Sequence, residues 1–150
     1  MLSEFVKSST ASAQKIDNTP SKEVVGNLKT LCEQVLEPLR QHFGVPIEIN
    51  SGYRCPALNR AVGGAVNSQH MTGEAADIHI PVHDFVDSNG HHHSNMDILK
   101  MWFTWIMDNC DFDQLIKETT NRRTYWIHVS CKRDRSKNRH QVITFMLKSS

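Results

Sequence analysis

Ser68-Gln69-His70-Met71-Thr72-Gly73-Glu74-Ala75-Ala76-Asp77 is the stretch around which the rest of this chain is organised. A histidine and an aspartate flank Gly73, Ala75 and Ala76, whose smallness lets backbone approach whatever the two polar side chains hold. That is the pattern of a metal site, but Zn²⁺ in a catalytic centre usually takes three protein ligands and keeps a fourth position for water. A third ligand must come from elsewhere. Beyond His70, residues 74–80 read as a strand, which puts Ala75, Asp77 and His79 on one face and Ala76, Ile78 and Ile80 on the other.

Working outward, Val24, Val25, Leu28, Leu31, Cys32, Val35, Leu36 and Leu39 recur at helical spacing between an N-cap at Ser21 and a stop at Gly44. Pro38 predicts a kink or restart in that helix. Residues 47–51 read as a short strand, and Pro56 to Arg60 as a short helix ending at Gly63-Gly64. Residues 81–95 form a polar loop carrying His91, His92 and His93, most simply solvated, and a second helix spans 95–109. The last third is β: strands at 112–118, 125–131 and 141–147, with a turn at 119–123 and a basic connection from Lys132 to His140. Residues 1–20 lack periodicity and read as a loosely ordered lead-in, though Phe5 and Val6 have the apolar character to dock. The expectation is an α+β fold with one mainly antiparallel sheet, helices on one side and the metal site on the other.

The final hairpin supplies what the central stretch lacks. Trp126, His128 and Ser130 share one face of their strand, and Gln114, Ile116 and Glu118 share one face of the partner. If Glu118 pairs with Trp126, then Glu118 and His128 are diagonal neighbours roughly 7–8 Å apart at the backbone, suited to a base and a ligand meeting across one water. A slip of one residue would turn Glu118 to the opposite face. The chemistry that follows is metal-assisted hydrolysis, with His70, Asp77 and His128 as ligands and Glu118 as general base. Arg54 has the planar fork to clamp a carboxylate or an oxyanion, and Ser68, Gln69 and Ser130 are placed to hydrogen-bond substrate.

Composition narrows the classes. With 150 residues, one domain is expected. The 17 Lys+Arg against 16 Asp+Glu give no electrostatic case for nucleic acid or an anionic membrane as the main partner. Cys32, Cys55, Cys110 and Cys131 are scattered and read as free thiols. The amino end has no apolar signal region and no run reaches the length of a membrane span, so synthesis in the cytoplasm without a signal peptide is expected.

In three blocks the chain resembles the zinc D-alanyl-D-alanine carboxypeptidase family. These are Ser51-Gly52-Tyr53-Arg54-Cys55-Pro56-x-Leu58-Asn59; Val62-Gly63-Gly64 followed by Ser68-Gln69-His70-x-x-Gly73-x-Ala75-Ala76-Asp77-Ile78; and Phe112-Asp113-Gln114-Leu115-Ile116 with Trp126-Ile127-His128-Val129-Ser130. The resemblance covers roughly residues 20–131 and implies a zinc peptidase domain over 21–150. It makes His70, Asp77 and His128 the ligands of one Zn²⁺ per chain, and Arg54 the arginine facing substrate. Many family members carry a glutamate three residues before the last ligand, where this chain has Tyr125. Glu118 instead looks like the more distant glutamate of the related hedgehog signalling domain. The implied activity is hydrolysis of a peptide bond in the peptidoglycan stem peptide, as a carboxypeptidase or an endolysin-type endopeptidase. A phage or prophage lysin released through a separate pore, acting on the cell wall as a monomer, fits that activity. The alternative is a catalytically silent zinc module that binds wall peptide or a protein partner.

The blander readings belong to the other candidates. His42 and His140 are expected to be structural, Trp102 and Trp105 core, and Glu74 surface, while His79 takes a position beside the site. Trp126 lies two residues from His128 on the site face, which puts a place in the wall of the substrate pocket beside the alternative of core.

Overall fold

The computed structural model describes residues 2–81, 85–86, 89–121 and 124–148 of the chain. At the amino end, α1 (Leu2–Val6) and α2 (Ser9–Ala13) occupy the segment expected to be a loose lead-in. Phe5 is buried, and its carbonyl accepts from Tyr53 N at 2.7 Å. Asn18 fastens the same join: its amide donates to Val6 O and Tyr53 O, and its side-chain oxygen accepts from Cys55 N. Gly52 permits the approach, because a Cβ there would sit 2.5 Å from Phe5 O.

The long helix resolves into α3 (Lys22–Leu31), a π-helical turn (Cys32–Leu36) and α4 (Glu37–Phe43). Pro38 accounts for the interruption, since its ring cannot donate and crowds the carbonyl one turn earlier. The wider turn, in which Glu37 N bonds Cys32 O, absorbs that mismatch without ending the helix.

The remaining elements are β1 (Ile49–Ser51), α5 (Pro56–Ala61), a 3-10 turn (Gln69–Thr72), β2 (Ala75–His79), β3 (Phe85–Val86), β4 (His92–His93), α6 (Asn95–Asn109), β5 (Gln114–Thr119), β6 (Tyr125–Ser130), a 3-10 turn (Arg135–Lys137) and β7 (Gln141–Leu147). Five strands form one sheet in the order β1-β2-β6-β5-β7, and β3 and β4 form a separate pair. His92 and His93 therefore lie on a short ladder rather than in an irregular loop. Asp87 and Ser88 of the expected loop, and Arg122 and Arg123 of the expected turn, fall outside the described residues.

β7 runs parallel to β5, where the reading from sequence had the closing strands antiparallel. The chain leaves β6 at the end where β5 begins and crosses over that end, so β7 starts beside Gln114 and runs in the direction of β5. Asp113 anchors the crossing. Its buried carboxylate accepts from Arg139 N and Nε on one oxygen, and from Arg139 Nη2 and Gln69 Nε2 on the other, at 2.8–3.0 Å.

One face of the sheet is dry. Ala76, Ile78, Ile127, Val129 and Leu115 pack against Leu28, Leu31, Val35 and Leu39 from the helical side and against Ile98, Leu99, Trp102, Phe103 and Ile106 from α6. Trp102 is core as expected, whereas Trp105 is only partly buried and stacks on His42 with ring centroids 4.8 Å apart. The four cysteines are free thiols. No helix among the described residues is long and apolar enough to cross a membrane.

Burial pushes the Asp113 carboxyl up, but the hydrogen bonds from Arg139 and Gln69 outweigh it and hold the group well below the usual carboxylate range. Such a depressed group stabilises the fold fully above its unfolded value near ~4, and that contribution is lost as pH falls further. Asp113→Asn is expected to cost about 1–3 kcal/mol in urea unfolding at pH 7. The gap from wild type should narrow as the pH is taken from 5 towards 3; a gap independent of pH would contradict the assignment.

Candidate metal centre

The opposite face of the sheet carries the polar residues, and the register decides which of them meet. Asp77 on β2 pairs directly with His128 on β6, and His128 in turn opposes Ile116 on β5, while Glu118 opposes Trp126. Glu118 thus takes the diagonal position relative to His128. His79 lies opposite Trp126, beside the group and not among its ligand atoms.

His70 arrives from outside the sheet, on the 3-10 turn that precedes β2. Ser68 caps that turn, its hydroxyl accepting from His70 N. Gly73 ends it at φ 76, a conformation for glycine, and a Cβ there would lie 2.8 Å from a Val24 methyl. The His70 ring is aimed by its own hydrogen bond, Nδ1 donating to Gly52 O at 2.7 Å. With Nδ1 committed to that carbonyl, Nε2 is the ring nitrogen turned inward, and it faces Asp77 Oδ1 at 3.3 Å. His128 Nδ1 stands 3.0 Å from the same oxygen.

Ligand atoms of His70, Asp77 and His128 lie within 4.8 Å of one another. Two imidazole nitrogens and one carboxylate oxygen gathered this closely form a donor set that Zn²⁺ accepts. The bond from His70 to the Gly52 carbonyl is of the kind that orients histidines at metal centres. Burial raises the Asp77 carboxyl, but His70 and His128 outweigh it and keep the group far below the ordinary carboxylate range. The carboxylate is therefore ionised, as a ligand must be.

Glu118 is buried, with Oε1 3.7 Å from His128 Nδ1 and Oε2 3.1 Å from Lys148 Nζ. Arg54 N donates to His70 O, and its Nη2 donates to Ser68 Oγ at 3.3 Å. Burial pulls the guanidinium pKa down while Asp77 and Glu118 act to raise it. Its Nε is buried with no hydrogen-bond partner among the described residues.

Other expected contacts are placed differently from one another. Trp126 is half-buried on the site face. The Ser68 hydroxyl already serves the turn and Arg54. Gln69 gives its amide to Asp113 and holds a buried carbonyl oxygen with no hydrogen-bond partner among the described residues. Ser130 is fully buried and its hydroxyl accepts from Gln114 N. Glu74 is half-buried rather than exposed. His140 is structural, its Nε2 within 3.2 Å of Asp111 Oδ1 and its ring against Phe112. Sequence reasoning missed Asp113 as the organiser behind Gln69; a carboxylate next to the apolar run of β5, inside one of the three blocks, was the available signal. It also missed Lys148, for which periodicity gave none.

Among known proteins, the family model described as Peptidase M15 matches residues 1–130 of the chain. The zinc D-Ala-D-Ala carboxypeptidase of Streptomyces albus G is 48% identical over 44 residues, which are 29% of this chain and 17% of that protein. The shared stretch is thus a small part of the relative's length, whereas the family match takes in the amino-terminal helices and every residue of the metal cluster. On that match, and with the His-Asp-His group in place, the chain belongs to the peptidase M15 family of zinc peptidases.

Proposed function

We propose that the chain hydrolyses a peptide bond in the peptidoglycan stem peptide, as a D-alanyl-D-alanine carboxypeptidase or an endolysin-type endopeptidase. The observation that carries this reading is the convergence of His70, Asp77 and His128 with the buried Glu118 carboxylate 3.7 Å from His128. The substrate class follows the relative named for D-Ala-D-Ala cleavage.

His70 through Nε2, His128 through Nδ1 and Asp77 through a carboxylate oxygen would hold one Zn²⁺ per chain. Bound there, the metal supplies Lewis acidity towards a carbonyl and lowers the pKa of water. Glu118 takes the proton from the attacking water as oxygen bonds to the scissile carbonyl carbon. It then delivers that proton to the amine as the C–N bond breaks, leaving a carboxylate and a free amino group. Arg54, whose Nη2 lies against Ser68 Oγ, would turn its guanidinium towards the developing oxyanion or a substrate carboxylate. Trp126 walls the site beside Glu118, the backbone around Ser68 and Gln69 borders it, and Ser130 supports β5 from behind. The enzyme works on the cell wall as a monomer.

Two variants test the assignment on purified peptidoglycan, with new amino groups measured and metal content assayed. Glu118→Gln is expected to keep its zinc and lose roughly 10²- to 10⁴-fold in rate. His128→Ala is expected to lose the metal, and the activity with it. Free D-alanine among the products marks the carboxypeptidase, and shortened cross-bridges the endopeptidase. Wild type that binds zinc and wall fragments but leaves the wall intact would instead be the silent binding module.

A further inference from the structure

The parallel ladder between β5 and β7 is broken once. Ile116 pairs with Ile143, but Glu118 pairs with Met146, so three steps along β7 match two along β5. Paired residues on neighbouring strands point to the same side of a sheet, and successive residues alternate. In an unbroken register Phe145 would oppose Glu118, and Lys148 would point to the helical side. The extra residue reverses the alternation beyond it and brings Met146 and Lys148 to the face that carries Glu118. Bulges beside active sites re-aim side chains in this way.

The consequence is a charged contact. Lys148 N donates to Thr119 O at 2.8 Å, closing the ladder, and its ammonium stands 3.1 Å from Glu118 Oε2. Glu118 has a side chain only 3% exposed, and no hydrogen bond reaches Oε2 among the described residues. A buried carboxylate is costly unless a cation faces it. His128 stands at 3.7 Å from the other oxygen, but its Nδ1 is nearer to Asp77 Oδ1, at 3.0 Å. Lys148 is the lysine or arginine within ion-pair distance of Glu118 among the described residues, and it lies beyond the stretch matched by the family model.

We infer that Lys148, turned onto the catalytic face by the bulge in β7, is a positioning residue that holds Glu118 by Oε2 and leaves Oε1 for the attacking water. This rests on Glu118 being the base. The strand after residue 130 then completes the site as well as the sheet.

The test uses the full chain with Lys148→Ala, Lys148→Arg, Glu118→Gln and the Lys148→Ala/Glu118→Gln double variant, assayed on a synthetic stem peptide. Lys148→Ala is expected to lower kcat roughly 10- to 100-fold, with KM and zinc content unchanged, and Lys148→Arg to recover most of the loss. On the Glu118→Gln background Lys148→Ala should cost nothing more, because the two act as one unit. A second readout needs no activity: in metal-free protein Lys148→Ala should lower the unfolding midpoint by about 2–4 °C with Glu118 present, and leave it unchanged with Gln at 118. Unchanged kcat in Lys148→Ala beside an inactive Glu118→Gln overturns the role of Lys148 alone. A rise in KM at constant kcat overturns it too, and marks Lys148 as a substrate contact. Full rate in Glu118→Gln overturns the base reading, and the positioning role with it.

Discussion

The site depends on strand register. Asp77 lies opposite His128 across the β2–β6 ladder, and Glu118 lies diagonal to His128 across the β5–β6 ladder. Side chains alternate with a period of two, so a slip of one residue in either pairing would send Asp77, His128 or Glu118 through the sheet into the helical core. The core guards against such a slip. Ile78, Ile127 and Leu115 are fully buried on the other face, and each would have to surface for the polar residues to move. Apolar burial on one side thereby fixes polar geometry on the other.

The third residue of the cluster, His70, comes from outside the sheet and is held by a chain of backbone contacts. Gly52 stands at its centre: its carbonyl orients His70, and its missing side chain admits the backbone of Phe5. Gly73 performs the matching task at the other end of the turn, where Val24 of α3 presses against it. The first helix, the long interrupted helix and the metal cluster are consequently joined through two positions without side chains. Asp113 adds a second joint, tying the crossing into β7 to the Gln69 side chain next to His70.

Much of this was legible in the sequence, for reasons that also explain what was not. Glu118 and His128 could be related because strand alternation and a hairpin are local rules, and the Glu118–Trp126 pairing expected from the turn is the one found; the grouping of His70 and Asp77 with His128 rested on the motif blocks and not on a local rule. The direction of β7 was not legible, because a basic connection of this length permits either side of the hairpin. The bulge that redirects Lys148 leaves no periodic trace. Docking of residues 2–18 rests on backbone approach at Gly52 and on the three hydrogen bonds of Asn18, neither of which produces an apolar pattern. Ser130 shares the face of His128, yet it is fully buried and its hydroxyl is taken up by Gln114 N, which alternation along a strand does not foretell.

The most direct measurement is X-ray absorption at the zinc edge of the metal-loaded chain, in wild type and in His70→Ala. Wild type should show only nitrogen and oxygen neighbours at about 2.0–2.2 Å, with the outer-shell scattering of two imidazoles. His70→Ala should lose one of those imidazoles. Sulfur neighbours at about 2.3 Å, or an imidazole signature unchanged by removal of His70, would contradict the His70–Asp77–His128 site.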